Sequence, residues 1–332
     1  MGKILILGAG SFAGSSLIDF LLKKNFKIIA INRSFNKNDF FLPFKKNKKI
    51  KNLALQKINI NKKSDLNKLL KILKIEKIDY IVDFLGQGMV SQSWDKPEDW
   101  IETNILNKIK IIDFIVKNKI KIKKYIRIST PEVYGSKENK LNENSKYNPS
   151  TPYALTHSAI DMFLKIYFKQ YKFPYVIGRF SNFYGEHQQL YRIIPKTILC
   201  ILKKEKLNLQ GNGSSKRNFI YKDDFCSGIY CLIKKGKINN IYHFSGNELT
   251  TIKNIVKMIC KISKYNFNKL VKYTKERRSL DKIYILNTNK AKRELDWDAS
   301  FSLETGLKET IDYIKKNYNK INKEKTIYFH KN

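Results

Sequence analysis

Cysteine is scarce in this sequence of 332 residues, which contains only Cys200, Cys226, Cys231 and Cys260. The four residues form no Cys-x-x-Cys pair, and they lie within helical patterns. Such usage argues against a disulfide framework and against a zinc site, so no bound metal is expected. It suits a reducing compartment, and we therefore predict a cytoplasmic protein.

Long apolar runs are missing as well. Met1 leads directly into the strand pattern "KILILGAG", without a signal peptide, and lysines interrupt the most apolar helical patterns every few residues. Because no run approaches the length of a membrane span, a membrane partner is not expected.

Acidic residues are few, since 29 Asp and Glu stand against 65 Lys and Arg and leave a formal net charge of +36. Such an excess can indicate a nucleic-acid-binding protein. Here the lysines are spread over the whole chain, as in "KKNKKIKN" and "KKNYNKINKEK", without a nucleic-acid motif. We attribute the charge to compositional bias and expect no nucleic-acid partner. The excess charge still favours anionic small molecules as ligands.

Strand and helix patterns alternate through the first half of the chain. Strands are predicted at 3–8, 27–32, 53–58, 80–85 and 124–129, with helices around 12–24, 64–74, 97–118 and 153–171. This alternation predicts an α/β fold with a doubly wound parallel sheet of the Rossmann-like kind. The stretch "SFNKNDFFLPFKKNKKIKN" after the second strand is interpreted as solvated surface.

The second half is less regular and predicts a smaller C-terminal α/β lobe for the substrate. We divide the chain into residues 1–178, a dinucleotide-binding lobe, and residues 179–332, a substrate lobe interleaved with the first. No Gly/Ser linker separates the two, so we expect lobes that share one interface.

A glycine-rich turn follows the first strand in "LILGAGSFAGSSL", where Gly8, Gly10 and Ala13 satisfy the pattern G-x-G-x-x-G/A. Small residues let the backbone approach a pyrophosphate, and the helix that follows offers free amides. We predict a dinucleotide site, although a tight turn that merely needs glycine is the alternative. Asn32 and Arg33 stand where an acidic ribose-binding residue is usual, which favours NADP slightly over NAD.

Further motifs follow in a fixed order: "TNIL" (103–106), "STPEVYG" (129–135), Tyr153 with its helix, "RFSNFYG" (179–185), "RNFIYKDD" (217–224) and "KRELDW" (292–297). Together with the glycine turn, this series resembles the NAD-dependent epimerase/dehydratase family of extended short-chain dehydrogenase/reductases. Among its members, the dTDP-glucose 4,6-dehydratases and related nucleotide-sugar enzymes are the most similar. The resemblance implies a nucleotide-sugar substrate, NAD or NADP as cofactor, and a homodimer.

The resemblance and the glycine pattern together assign the binding residues. The cofactor is expected against Gly8, Gly10, Ser11, Phe12, Gly14, Asn32, Arg33, Asn59, Ile60, Leu85, Gly86, Gln87 and Asn104. The nucleotide sugar is expected against Asn182, Arg192, Arg217 and Arg278, with the arginines on its phosphates.

The resemblance also implies the catalytic roles. Tyr153 is the base that takes a proton from a sugar hydroxyl, Thr130 hydrogen-bonds that hydroxyl, and Glu132 removes the C5 proton of a 4-keto sugar. His157 stands where the family has a lysine, and Pro131 stands where dTDP-glucose 4,6-dehydratases have an acidic aspartate. We predict a 4,6-dehydratase. An epimerase, a decarboxylase and a catalytically impaired dinucleotide-binding protein stay open as alternatives.

Overall fold

A computed structural model describes residues 2–275 and 281–328 of the chain. Its strands are numbered in chain order. They are β1 (Lys3–Leu7), β2 (Lys27–Asn32), β3 (Leu53–Lys57), β4 (Tyr80–Asp83), β5 (Lys124–Ser129), β6 (Lys140–Leu141), β7 (Tyr175–Phe180), β8 (Asn182–Tyr184), β9 (Leu207–Gln210), β10 (Lys216–Tyr221), β11 (Asn240–Phe244), β12 (Leu249–Thr251), β13 (Val271–Thr274) and β14 (Ile285–Leu286).

The α-helices are α1 (Phe12–Lys23), α2 (Lys63–Ile75), α3 (Pro97–Ile101), α4 (Asn107–Lys117), α5 (Pro152–Tyr171), α6 (Ile193–Lys203), α7 (Lys222–Lys235), α8 (Ile252–Ile262), α9 (Phe267–Leu270), α10 (Asn289–Leu295), α11 (Leu303–Lys316) and α12 (Tyr318–Ile321). A π-helical turn, Glu102–Leu106, joins α3 to α4, so the helix predicted around 97–118 is one continuous rod.

The central sheet has seven strands in the order β11-β7-β5-β4-β1-β2-β3, and every pairing in it is parallel. Side chains alternate between its two faces. On β1, Ile4 and Ile6 pack in the core beneath α1 and α7, whereas Leu5 and Leu7 pack in the core beneath α2, α4 and α5. The predicted doubly wound α/β fold is confirmed.

Smaller sheets build the second lobe around a core of its own. Strand β10 lies between β8 and β12, β9 pairs with β13, and β6 pairs with β14. Apolar side chains of α6, α8 and α11 pack together in this lobe. Strand β11 nevertheless belongs to the central sheet, so the second half of the chain returns to the first lobe. The boundary between 178 and 179 stays a prediction.

The stretch between β2 and β3 corrects one interpretation. It was expected to be solvated surface, but Phe40 is 3% exposed, and Phe41, Leu42 and Phe44 are also buried. Phe40 packs against the ring of Tyr313, with the ring centroids 5.5 Å apart. The sequence did not reveal this buried apolar cluster, because abundant lysines flank it. Most of these lysines are exposed to solvent, whereas the apolar side chains of the cluster are buried.

Two kinds of feature, a membrane-spanning helix and a cluster of metal ligands, are absent from the described residues. None of the helices in the described ranges combines the length and the apolarity that a bilayer span requires. Within the same residues, no group of three or more His, Cys, Asp or Glu side chains is placed to hold a metal ion.

Candidate active site

A cleft of about 1870 Å³ opens at the carboxyl ends of the central strands, where it is lined by residues of both lobes. The order of the sheet reverses between β1 and β4, and ligands of doubly wound sheets bind at such a reversal. Among the residues around this cleft are Gly8, which follows β1, Arg33, which follows β2, and Thr130, which follows β5.

The glycine turn forms one wall of the cleft. Gly8 adopts a φ of +79°, which favours glycine, and a Cβ on Gly14 would lie 2.6 Å from the carbonyl oxygen of Gly8. Ser11 caps α1, because its Oγ accepts from the amide of Gly14 at 3.0 Å and donates to the Gly8 carbonyl at 2.7 Å. Gly8, Gly10, Ser11 and Phe12 line the cleft, while Gly14 lies behind them and lets the helix approach the strand.

The turn therefore fits a dinucleotide. The Ser11 cap satisfies the amide of Gly14, and the other amides at the start of a helix have no intrahelical acceptor. These amides and the positive end of the helix dipole suit a pyrophosphate.

The adenosine side of the cleft is formed by the residues predicted for it and by a segment that was not predicted. Asn32, Arg33, Asn59 and Ile60 all line the cleft. Asn32 donates its side-chain amide to the Ser34 carbonyl. Residues of the C-terminal segment also line this cleft, namely Lys320, Lys323, Glu324, Lys325, Ile327 and Tyr328. No motif marked this segment, because long-range packing alone brings it there.

Asn104 holds the segment after β4 rather than facing the cleft. It is fully buried, its Oδ1 accepts from the amide of Gln87 at 2.8 Å, and its Nδ2 donates to Thr156 Oγ1 at 3.0 Å. The segment that it holds, Leu85, Gly86 and Gln87, lines the cleft as predicted. The expectation that Asn104 itself contacts the cofactor is therefore corrected to a supporting position.

Tyr153, Thr130 and Glu132 line the cleft close to one another. Thr151 caps α5 and Pro152 begins it, so Tyr153 projects from the first turn. Burial and the Glu132 carboxylate raise the pKa of the Tyr153 phenol above its ordinary value of 10, while a hydrogen bond with Thr130 and nearby arginines oppose this rise. A phenolate at this place therefore needs positive charge close by.

Glu132 lies in a short 3₁₀ helix, Pro131–Tyr134, that Thr130 caps through a bond from the Glu132 amide. Burial raises the pKa of Glu132 to about 7, with the positive charge of Arg217 opposing the rise. A carboxyl group with a pKa near neutrality can both accept and return a proton at physiological pH.

His157 lies one turn after Tyr153, and the two ring centroids are 4.5 Å apart. Its Nδ1 is 2.9 Å from Nη2 of Arg127, a residue of β5 that the sequence analysis did not single out. Burial, together with the positive charges of Arg127, Lys108 and Arg179, holds the pKa of His157 well below its ordinary range. The imidazole is therefore neutral.

Beneath these residues lies a buried cluster of five charged side chains: Asp83, Lys108, Arg127, Asp161 and Arg179. Lys108 pairs with Asp83 at 2.9 Å, and Arg179 pairs with Asp161 at 2.9 Å. Buried charges are rare unless they are paired, so this cluster is a specific feature of the site.

Three of the four predicted substrate residues belong to the same cleft. Asn182, Arg192 and Arg217 line the cleft. Asn182 accepts a hydrogen bond from the Tyr284 hydroxyl at 2.9 Å. Arg217 is buried, and it donates to the carbonyls of Lys216 and Asp281 at 2.8 and 2.5 Å. Arg278 lies outside the described residues.

The sheet order, the glycine turn and a tyrosine beside Thr130 are the features of an extended short-chain dehydrogenase/reductase. The sequence profile of the family named GDP-mannose 4,6 dehydratase matches residues 5–310, and the chain belongs to this family. The resemblance that was inferred from the ordered motifs is confirmed.

Curated relatives cover nearly the whole chain. The dTDP-D-glucose 4,6-dehydratase of Dictyostelium discoideum is 30% identical, over 96% of this chain and 82% of its own. The human dTDP-D-glucose 4,6-dehydratase is 28% identical, over 95% of this chain and 91% of its own.

Solved structures agree in fold. A dTDP-glucose 4,6-dehydratase from Bacillus anthracis in complex with NAD is 27% identical, with a TM-score of 0.83 over 96% of this chain and 98% of that one. A UDP-glucuronic acid 4-epimerase from Bacillus cereus in complex with UDP-glucuronic acid and NAD is 28% identical, with a TM-score of 0.83 over 95% and 100%.

Proposed function

We propose that the protein catalyses the 4,6-dehydration of a nucleoside-diphosphate hexose, with a dinucleotide that stays bound through each cycle. The observation that carries this proposal is the carboxyl group of Glu132 beside Tyr153 and Thr130 in one cleft. Beside a bound nicotinamide dinucleotide, which would accept and return the hydride, a tyrosine and a threonine suffice to oxidise a sugar hydroxyl and to reduce the ketone again, whereas removing a C–H proton next to a ketone requires a further base.

The glycine turn and the segment Leu85–Gln87 hold the cofactor in this proposal. NAD or NADP, when bound, supplies the hydride acceptor for oxidation at C4. The relatives crystallised with NAD support NAD. The preference for NADP that Asn32 and Arg33 suggested stays a prediction.

Tyr153 begins the reaction in this proposal. Its phenolate oxygen takes the proton of the C4 hydroxyl, and the Thr130 hydroxyl donates a hydrogen bond to the oxygen that becomes the ketone. The ketone acidifies the neighbouring C5–H, and the Glu132 carboxylate takes that proton.

Glu132 also completes the elimination. Pro131 has no acidic group, so the protonated Glu132 gives its proton to the departing C6 hydroxyl, and one molecule of water is lost across C5 and C6. The pKa of about 7 for Glu132 suits a group that accepts and donates in one cycle. Hydride returned to C6 from the bound dinucleotide, and a solvent proton delivered to C5 through Glu132, would complete the 4-keto-6-deoxy sugar, while Tyr153 would release its proton to solvent and regain the phenolate.

Two arginines of the cleft are candidates for binding the substrate, and one face of α5 is a candidate for the contact between subunits. Arg217 and Arg192 are proposed to pair with the diphosphate, because guanidinium groups bind phosphate oxygens in a bidentate manner.

Three apolar side chains on α5 are largely exposed: Leu155 to 54%, Met162 to 53% and Ile166 to 60%. A homodimer that buries them is proposed, in the cytoplasm.

An epimerase or a decarboxylase on the same fold is the second candidate, because an epimerase is among the similar structures. Purified protein is incubated separately with dTDP-glucose, GDP-mannose, UDP-glucose and UDP-glucuronate. A 4-keto-6-deoxy product, which absorbs strongly in alkali, supports the proposal. A C4 epimer or released carbon dioxide as the main product contradicts it.

Two variants control this assay. Tyr153→Phe removes the phenol and is expected to abolish turnover, whereas Tyr171→Phe changes an exposed tyrosine of the same helix and is expected to leave it unchanged. Mass spectrometry of the dinucleotide released from both proteins identifies NAD or NADP. Full turnover by Tyr153→Phe would exclude the proposed base.

A further inference from the structure

Tyr153 needs a nearby positive charge, and the lysine that the family places one turn later is replaced by His157. We propose that Arg127 is a positioning residue that makes up for this replacement. It holds His157 as a neutral imidazole with its proton on Nε2, and it places a permanent charge behind the Tyr153–His157 pair. The inference rests on the proposed function and names the residue that adapts it to this chain.

The hydrogen bond fixes the tautomer of His157. Arginine has only N–H donors, so at 2.9 Å from Nη2 of Arg127 the Nδ1 atom of His157 must be the acceptor. A neutral imidazole has one N–H, which is therefore on Nε2. Since His157 lines the cleft, this N–H is available to a ribose hydroxyl or to the Tyr153 oxygen.

The charges of the buried cluster do not balance. At neutral pH three cations, Lys108, Arg127 and Arg179, face the two carboxylates of Asp83 and Asp161, so one positive charge is in excess. Burial lowers the pKa of Lys108 to about 8, so Lys108 still carries most of its charge at this pH. The excess is located at Arg127, because the other two cations have carboxylate contacts at 2.9 Å. Arg127 is 3.8 Å from Asp83 and 3.6 Å from Asp161, and its Nε has no hydrogen-bond partner in the described structure.

Arg127 itself is 1% exposed, so solvent screens its charge weakly. Its Nη2 atom contacts His157, whose ring packs against Tyr153. The groups that face His157 are Lys108 from α4, Arg127 from β5 and Arg179 from β7.

The groups that face Tyr153 are Glu132, Thr130, Arg127, Arg192 and Tyr284. Of these, Arg127 is the buried cation in contact with the histidine that replaces the lysine.

The first test is a double-mutant cycle of the full-length enzyme with its bound dinucleotide. Arg127→Met in the native background is expected to move the limb of the pH–kcat profile that reports Tyr153 to higher pH by roughly one unit or more. It is expected to lower kcat at neutral pH by roughly tenfold, with KM for the nucleotide sugar within about twofold. In a His157→Lys background the same change is expected to cost nothing, because the new ammonium supplies the charge.

An equal loss in both backgrounds, with an unmoved pH limb, would show that Arg127 merely supports the fold, and it would overturn the inference. Arg127→Met leaves two cations and two carboxylates in the cluster, so the variant is expected to fold. Arg127→Lys keeps a charge and a donor, and it is expected to restore part of the pH profile. A failure of this partial rescue would also contradict the inference.

The second test does not depend on turnover and separates this inference from the proposed function. The protein is labelled with ¹⁵N-histidine, and the resonances of His157 are assigned by their loss in a His157→Gln variant. We expect a protonated Nε2 and an unprotonated, hydrogen-bonded Nδ1 across neutral pH, and we expect Arg127→Met to alter this pattern. Protonation on Nδ1, or on both nitrogens, would refute the role of Arg127 even in a fully active dehydratase.

Discussion

Glu132→Gln is expected to make the protein more stable and less active at the same time. Glutamine keeps the shape of the side chain but cannot ionise. In the folded protein, burial raises the pKa of Glu132 from 4.5 to about 7. The carboxylate form is thus disfavoured by folding, and the native protein loses stability as the pH rises from the lower of these values to the higher one.

The size of the effect follows from the same values. A rise of about 2.5 in pKa, at about 1.4 kcal/mol for each unit, sets an upper limit of about 3.5 kcal/mol. Glu132 is only partly buried, so solvent screening reduces the expected gain to roughly 1–2 kcal/mol. The gain is complete above pH 7, declines as the pH falls, and vanishes below the ordinary pKa of 4.5.

The assay combines denaturant unfolding at several pH values with product formation. Glu132→Gln should lower turnover by roughly 10²–10⁴-fold, because the C5 proton loses its base. Glu138→Gln, at an exposed carboxylate in the following loop, is the matched control and should change neither quantity. Equal or lower stability of Glu132→Gln at pH 8 would refute the desolvated carboxyl group on which the single acid–base role depends.

Two further changes test the cofactor turn and the assembly. Gly14→Ala places a Cβ 2.6 Å from the Gly8 carbonyl oxygen and should cost about 1–3 kcal/mol and release the dinucleotide in the same mass-spectrometric measurement; full retention of the dinucleotide would contradict this reasoning. Ile166→Glu places a charge on the apolar face of α5 and should yield monomers in a light-scattering measurement. Ile75→Glu, at an exposed position of α2, is the control and should leave the dimer intact. An unchanged dimer of Ile166→Glu would show that this face is not the dimer interface.

Much of the fold could be predicted because the first lobe is built from local patterns. Each predicted strand of the alternating region matches an observed one within two residues at either end, as 27–32 matches Lys27–Asn32. The short strands of the second lobe were harder, since β8 and β12 have three residues each and depend on β10 for their pairing. The apolar cluster around Phe40 was missed because its partners, such as Tyr313, lie far away in the chain.

In the candidate site, too, some residues could be predicted from sequence and others were missed. Tyr153, Thr130 and Glu132 could be placed together because ordered motifs carry them, and the structure brings them to one cleft. Arg127 had a signal that was not used. In "KYIRIS" the alternation places Arg127 on the same face as Tyr125 and Ser129, inside a strand of a doubly covered sheet. A cation at such a position is buried and requires a partner.

The sequence points to one partner of that cation, but it does not reveal the other cations of the cluster. Among 29 acidic residues, an aspartate at the end of the apolar strand "YIVD" is conspicuous, and Asp83 is indeed fully buried. Among 65 basic residues, no pattern distinguishes Lys108, which pairs with Asp83, from those that face solvent. The Asp83 carboxylate was therefore predictable in principle. The excess positive charge of the cluster depends on which cations the packing of α4 and β5 brings to it, and that excess is what the Tyr153 phenolate requires.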